Sequence, residues 1–128
     1  MRRNYLRMLL KLLREKKLLE KYKGKFKVVP EASLNKLGEV VLEKRVKKYV
    51  TDTGKVIWVV VGKERDYYVK PNEYCTCRDF FLNVVIRKKR KWCYHMLAVE
   101  VAIDLGFFEE IKLSEDELLA VAEEWMKV

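Results

Sequence analysis

Every cysteine of the chain and its only histidine lie within 21 residues: Cys75-Thr76-Cys77, fifteen intervening residues, then Cys93-Tyr94-His95. Residues i and i+2 of an extended segment point to the same side, so Cys75 and Cys77 can present two thiolates together. Cys93 and His95 stand at the start of a predicted helix, whose positive dipole end favours a thiolate at Cys93. Three sulfurs and one imidazole nitrogen complete a tetrahedral shell of the Cys3His type, the chemistry of one structural Zn2+. Four protein ligands leave no open position for water, which makes the metal structural rather than catalytic. Its binding would contribute on the order of 10 kcal/mol to folding of this region. The alternatives are three buried free cysteines beside a satisfied histidine, or an iron–sulfur cluster, which normally takes four thiolates.

The insert between the two ligand pairs ends in Arg87, Lys88, Lys89, Arg90 and Lys91, followed by Trp92. A loop clamped at both ends by one metal cannot disperse its positive charges. Lysine and arginine beside phosphates release counterions and give affinity without reading sequence. These five residues are therefore the candidate nucleic-acid contacts. Trp92 either stacks on a base, worth about 1–3 kcal/mol, or anchors the loop. Phe80, Phe81, Val84, Val85 and Ile86 of the same insert are expected to pack on the sheet.

Charge is unevenly spread along the 128 residues, whose formal net charge is +9. Residues 1–27 carry +9, residues 28–86 carry +2, the run 87–91 adds +5 and residues 96–128 carry −7. Such a dipole suits a polyanion at the basic parts and a basic protein at the acidic one. A solvated, ion-paired surface of a thermophilic protein is the simpler account. Charged residues make up 37% of the chain, against a usual value of about 25%, and glutamine is absent. That balance is the hyperthermophile pattern of abundant Lys and Glu with few labile amides.

The length fits one domain. Arg7, Lys11 and Arg14 interrupt the leucine-rich start that follows Arg2 and Arg3, so it is not the unbroken apolar core of a signal peptide. No apolar run is long enough to span a membrane. An odd number of clustered cysteines suits metal binding in a reducing compartment, and the expected location is the cytosol.

The elements that must position the ligands follow from hydrophobic period. Residues 3–22 read as one amphipathic helix with Leu6, Leu9, Leu10 and Leu13 on one face. That face packs in the core, offers itself to a partner groove, or lies on a membrane surface. Gly24 is the expected helix end, Pro30-Glu31 opens a short helix, and Gly38 is its expected stop. Alternation from Val40 through Leu42, Val46 and Val50 predicts a half-buried strand. Asp52-Thr53-Gly54 signals a tight turn, residues 56–61 a central strand, and residues 67–69 a third. Residues 94–105 return to helix, and Ser114 with Glu117 forms a capping box before the last one. The expectation is α+β: a three-stranded antiparallel β-meander flanked by an N-terminal amphipathic helix and two C-terminal helices. Within a single globular unit, residues 1–37 form a basic helical segment, 38–105 the zinc-binding part and 106–128 an acidic C-terminal helix.

A meander followed by C-x-C and C-x-H resembles the SWIM zinc-binding domain. The resemblance runs through Val46, Trp58, Val59, Gly62, Tyr68 and Val69, then Cys75-Thr76-Cys77 with Phe80 behind it, and Cys93-Tyr94-His95. It covers residues 38–98. His95-Met96-Leu97-Ala98 extends the pattern to C-x-C…C-x-H-x-x-A, similar to the SWIM subunits of Shu-type recombination complexes and to their small archaeal forms. Tyr94 departs from it, since many members carry lysine there. The resemblance implies an accessory role in homologous recombination, with a RecA-family recombinase paralogue as partner and DNA as a further contact. A stand-alone nucleic-acid-binding module is the alternative. An enzyme is not expected: the histidine and cysteines are committed to metal, and only Ser33 and Ser114 remain as serines.

Overall fold

The computed structural model describes residues 4–125. Arg3 and Met126, expected in the first and last helices, lie outside the described residues.

The expected single N-terminal helix is two. Helix α1 spans Tyr5–Glu15, with the Asn4 side chain accepting from the Arg7 N–H at 3.0 Å. It ends where Lys17 turns to a φ of 60°, and α2 follows over Leu19–Lys27. Neither Gly nor Pro marks the break. Gly24 sits inside α2, whose Tyr22 and Phe26 are buried and stacked at 5.7 Å. Helix α3 runs over Glu31–Leu42, straight through Gly38. A Cβ at position 38 would stand 2.9 Å from the Tyr5 carbonyl, so this glycine is where α1 crosses α3 rather than a stop. Asn35 of α3 reinforces the crossing by accepting from the Leu6 N–H at 3.1 Å.

The expected strand therefore begins late. Val40 and Leu42 are helical, and β1 covers Val46–Thr51. Strands β2 (Val56–Val61) and β3 (Asp66–Lys70) form where the β-branched and aromatic runs place them. Their turn needs Gly62, because a Cβ there would meet the Arg65 carbonyl oxygen at 2.4 Å. Two further strands complete the sheet: β4 (Tyr74–Cys75) and β5 (Glu109–Leu113). The order is β4-β3-β2-β1-β5, antiparallel except for β5, which lies parallel to β1 with Lys47 opposite Glu109. The protein is α+β with a mixed five-stranded sheet, and the three-stranded meander is only its middle. The described part of the C-terminal segment, residues 106–125, thus supplies a sheet strand as well as a helix.

Alternation sends β2 side chains to two different cores. Val60, with Val46, Val69 and the partly buried Trp58, joins a large core with α1–α3 and with α4 (Tyr94–Leu105). Val59, with Ile57, faces α5 (Glu115–Trp125) in a small core around Leu118 and Trp125. Helix α4 is apolar on most sides, with Met96 through Val99, Val101 and Ala102 all buried, as its place between the sheet and the other helices requires. The capping box forms: the Glu117 N–H donates to Ser114 Oγ at 3.2 Å, and Glu117 Oε1 accepts from the Ser114 N–H at 3.1 Å. No described helix is long and apolar enough to cross a membrane.

Candidate metal centre

Three short elements bring the four ligands together. Cys75 ends β4, held opposite Val69 of β3. Thr76 pins the next residue to the same strand: its N–H donates to the Tyr68 carbonyl and its Oγ1 accepts from the Tyr68 N–H, both at 3.1 Å. Cys77 precedes a π-helical turn over Phe80–Ile86, and its Sγ accepts from the Phe80 N–H at 3.3 Å. Cys93 is the N-cap of α4, extended at φ −94° and ψ 169°, and His95 lies in the first turn. The sequence-predicted helix start is thus where the second ligand pair sits.

All four residues are buried, at 5% exposure or less, and their donor atoms lie within 4.8 Å of one another. A tetrahedral ion with metal–sulfur bonds of about 2.3 Å would hold its donors about 3.8 Å apart. No pair of donors is therefore more than about an ångström wider than the spacing of a filled site. The imidazole is clasped between Tyr67, at 4.4 Å between ring centroids, and Tyr94, at 4.1 Å. Among the described residues its buried Nδ1 has no hydrogen-bond partner, a cost a packed protein rarely tolerates for nothing.

The electrostatics of the sulfurs lead to the same conclusion. Hydrogen bonds from Cys75 and Cys93, with help from His95, hold the Cys77 thiol far below its ordinary value. Cys75 moves strongly the other way through its bonds to Cys77 and Cys93 and through burial. At Cys93 the contact with Cys75 favours the thiolate, but Cys77 and burial outweigh it and push the thiol up to about 12. Burial and mutual contact thus oppose ionisation of all three thiols side by side. A cation in their midst would reverse that balance, and the donor set fits a single metal ion. Burial also pushes the Tyr94 hydroxyl up to about 12, so this ring flanks the site in neutral form.

The basic run divides. Arg87, Lys88, Lys89 and Lys91 are exposed, whereas Arg90 is folded inward and makes a two-point contact with Asp79 at 2.8 and 3.1 Å. Asp79 also accepts from Asn83 at 2.7 Å, and the Asn83 carbonyl accepts from the N–H groups of Lys89 and Arg90. Asp79, Asn83 and Arg90 therefore shape the loop. The i,i+4 spacing of Asp79 and Asn83 was the signal for this network in the sequence. Trp92 is an anchor: it packs against the large core, and Lys25 Nζ lies 5.2 Å from its ring centroid. Of the apolar residues in the insert, Phe80 is buried and Val84 packs against the core, but Phe81, Val85 and Ile86 are exposed rather than set on the sheet. In the leucine stripe, Leu9 and Leu13 are fully buried and Leu10 packs against the same core, so this face is largely spent within the chain.

An archaeal relative carries part of this sequence. The chain is 39% identical over 77 residues to an uncharacterized protein of Archaeoglobus fulgidus, a match covering 60% of this chain and 59% of that protein. The chain thus spans about three-fifths of the length of the relative it matches. No protein-family model matches the chain. No solved structure matches it either.

Proposed function

We propose that the chain is a SWIM-type zinc protein acting as an accessory in homologous recombination, where it binds a RecA-family recombinase paralogue and touches DNA through its basic loop. The observation that carries this reading is the convergence of Cys75, Cys77, Cys93 and His95 from β4, the following turn and the start of α4. That donor set, with one nitrogen among three sulfurs, suits Zn2+ better than an iron–sulfur cluster. With four protein ligands the ion serves architecture, fastening the edge of the sheet to α4 and fixing both ends of the insert. The role is one of binding rather than catalysis.

The recombination role rests on the resemblance of the ligand pattern and the helix after it. DNA contact is supported by Arg87, Lys88, Lys89 and Lys91, four exposed cations in an insert with both ends at the metal site. The same cations favour a second reading, a stand-alone nucleic-acid-binding module. Affinity purification of the tagged chain from its source cells separates the two. A RecA-family protein recovered in near-equal amount, with one zinc per chain, is the expected result. DNA binding retained with no recombinase relative recovered would leave the stand-alone module.

A further inference from the structure

Two helices on opposite sides of the sheet carry matching patterns of opposite charge. On α1, Arg7, Lys11 and Arg14 recur at i, i+4 and i+7, so they share one outward face, beside the half-exposed Met8 and the edge of Leu10. On α5, Asp116 and Glu123 stand seven residues apart on the outward face, and between them Leu119 is 67% exposed. Among the described residues, none of these five charged side chains has an ion-pair partner. Some surface lysines elsewhere do, as in Lys21–Asp104 and Lys55–Glu115.

We propose that α1 of one copy docks on α5 of a second copy, head to tail. Seven helical residues span about 10.5 Å on either helix. An antiparallel pair therefore sets Arg7 against Glu123 and Arg14 against Asp116, with Leu119 against Leu10 and the stem of Lys11. The two dipoles also oppose in that orientation. Because α1 belongs to the large core and α5 to the small one across the sheet, the two helices cannot meet within one chain. The contact is heterologous, so each copy keeps one free face of each kind and the association extends or closes into a ring. A single helix pair is smaller than the ~800 Å² per partner of a standard stable interface, so the assembly is reversible and sensitive to salt. This inference stands apart from the recombination reading.

The test is sedimentation of the purified chain, free of nucleic acid, over a range of concentration and salt. The mean mass should rise with concentration at low salt and fall back at high salt. The triple reversal Arg7→Glu, Lys11→Glu and Arg14→Glu should weaken association by more than about ten-fold, and so should Asp116→Lys with Glu123→Lys. All five sites are exposed, and circular dichroism checks that both variants keep the native fold. An equimolar mixture of the two variants should associate again, because every α1–α5 pairing between unlike variants joins opposite charges. A wild type monomeric throughout, variants that still associate, or a mixture that stays monomeric would each overturn the proposal.

Discussion

The two faces of the sheet are covered by different means. On one, four helices and the ligand cluster form a continuous core from Leu9 and Tyr22 through Val60 to Leu97 and Cys93. On the other, α5 alone packs on the sheet, its Leu118 and Trp125 enclosing Val59, with Trp125 stacked on Tyr68 at 6.0 Å and tilted against Tyr49 at 5.8 Å. The first face carries four buried donors, Cys75, Cys77, Cys93 and His95, that a single metal ion would cross-link. The second depends on apolar area, one aromatic cluster and a helix cap. A small domain can therefore hold a strong and a weak face on one sheet, and the weak face is where local opening is expected to begin.

The largest expected effect is on the strong face. Cys93→Ser should abolish metal binding, measured as metal per chain, and remove a contribution on the order of 10 kcal/mol to the ordering of β4, the insert and α4. Chelation of the wild type should do the same, more easily as pH falls, because protons compete for the thiolates. Unchanged metal content in Cys93→Ser would break the comparison at its root. An intermediate effect belongs to the weak face. Trp125→Ala should cost about 3 kcal/mol by deleting the centre of the small core, with metal content intact. Hydrogen exchange should show α5 amides released while α4 amides stay protected.

The smallest effect sharpens the picture. Ser114→Ala removes the α5 cap and should cost about 1 kcal/mol. The Ser114 N–H and hydroxyl hold the Glu117 carboxyl below its ordinary range. A depressed carboxyl stabilises the fold fully above its unfolded value and loses that contribution as pH falls through the folded one. The difference between wild type and Glu117→Ala, which loses the carboxyl and leaves the Ser114 N–H in place, should therefore be largest near neutrality and shrink in acid, as read by thermal unfolding at several pH values. A gap that is constant with pH would remove the reciprocal bond from the account.

What was legible in the sequence is what is local or chemically distinctive. The two ligand pairs, β2, β3, the helix after Cys93 and the Ser114–Glu117 box all declare themselves within a few residues. The failures share a cause in distant contacts. Gly38 reads as a helix end, yet its lack of a side chain serves the passage of α1. Val40 and Leu42 fit a period of two as well as a helical turn, and packing of α3 against α1 and α4 decided for the helix. Strand β5 is mostly charged, and only its place beside β1, with Lys47 and Lys48 against Glu109 and Glu110, makes it a strand. The turn at Lys17 has no marker residue at all.

The parallel placement of β5 has a consequence for biosynthesis. A ribosome releases the hairpin strands well before it releases the segment that will flank β1, so the nascent sheet must wait with one margin of bare peptide groups. Lys47 and Lys48 occupy that margin, and their like charges discourage two nascent chains from zipping together there before the proper neighbour arrives.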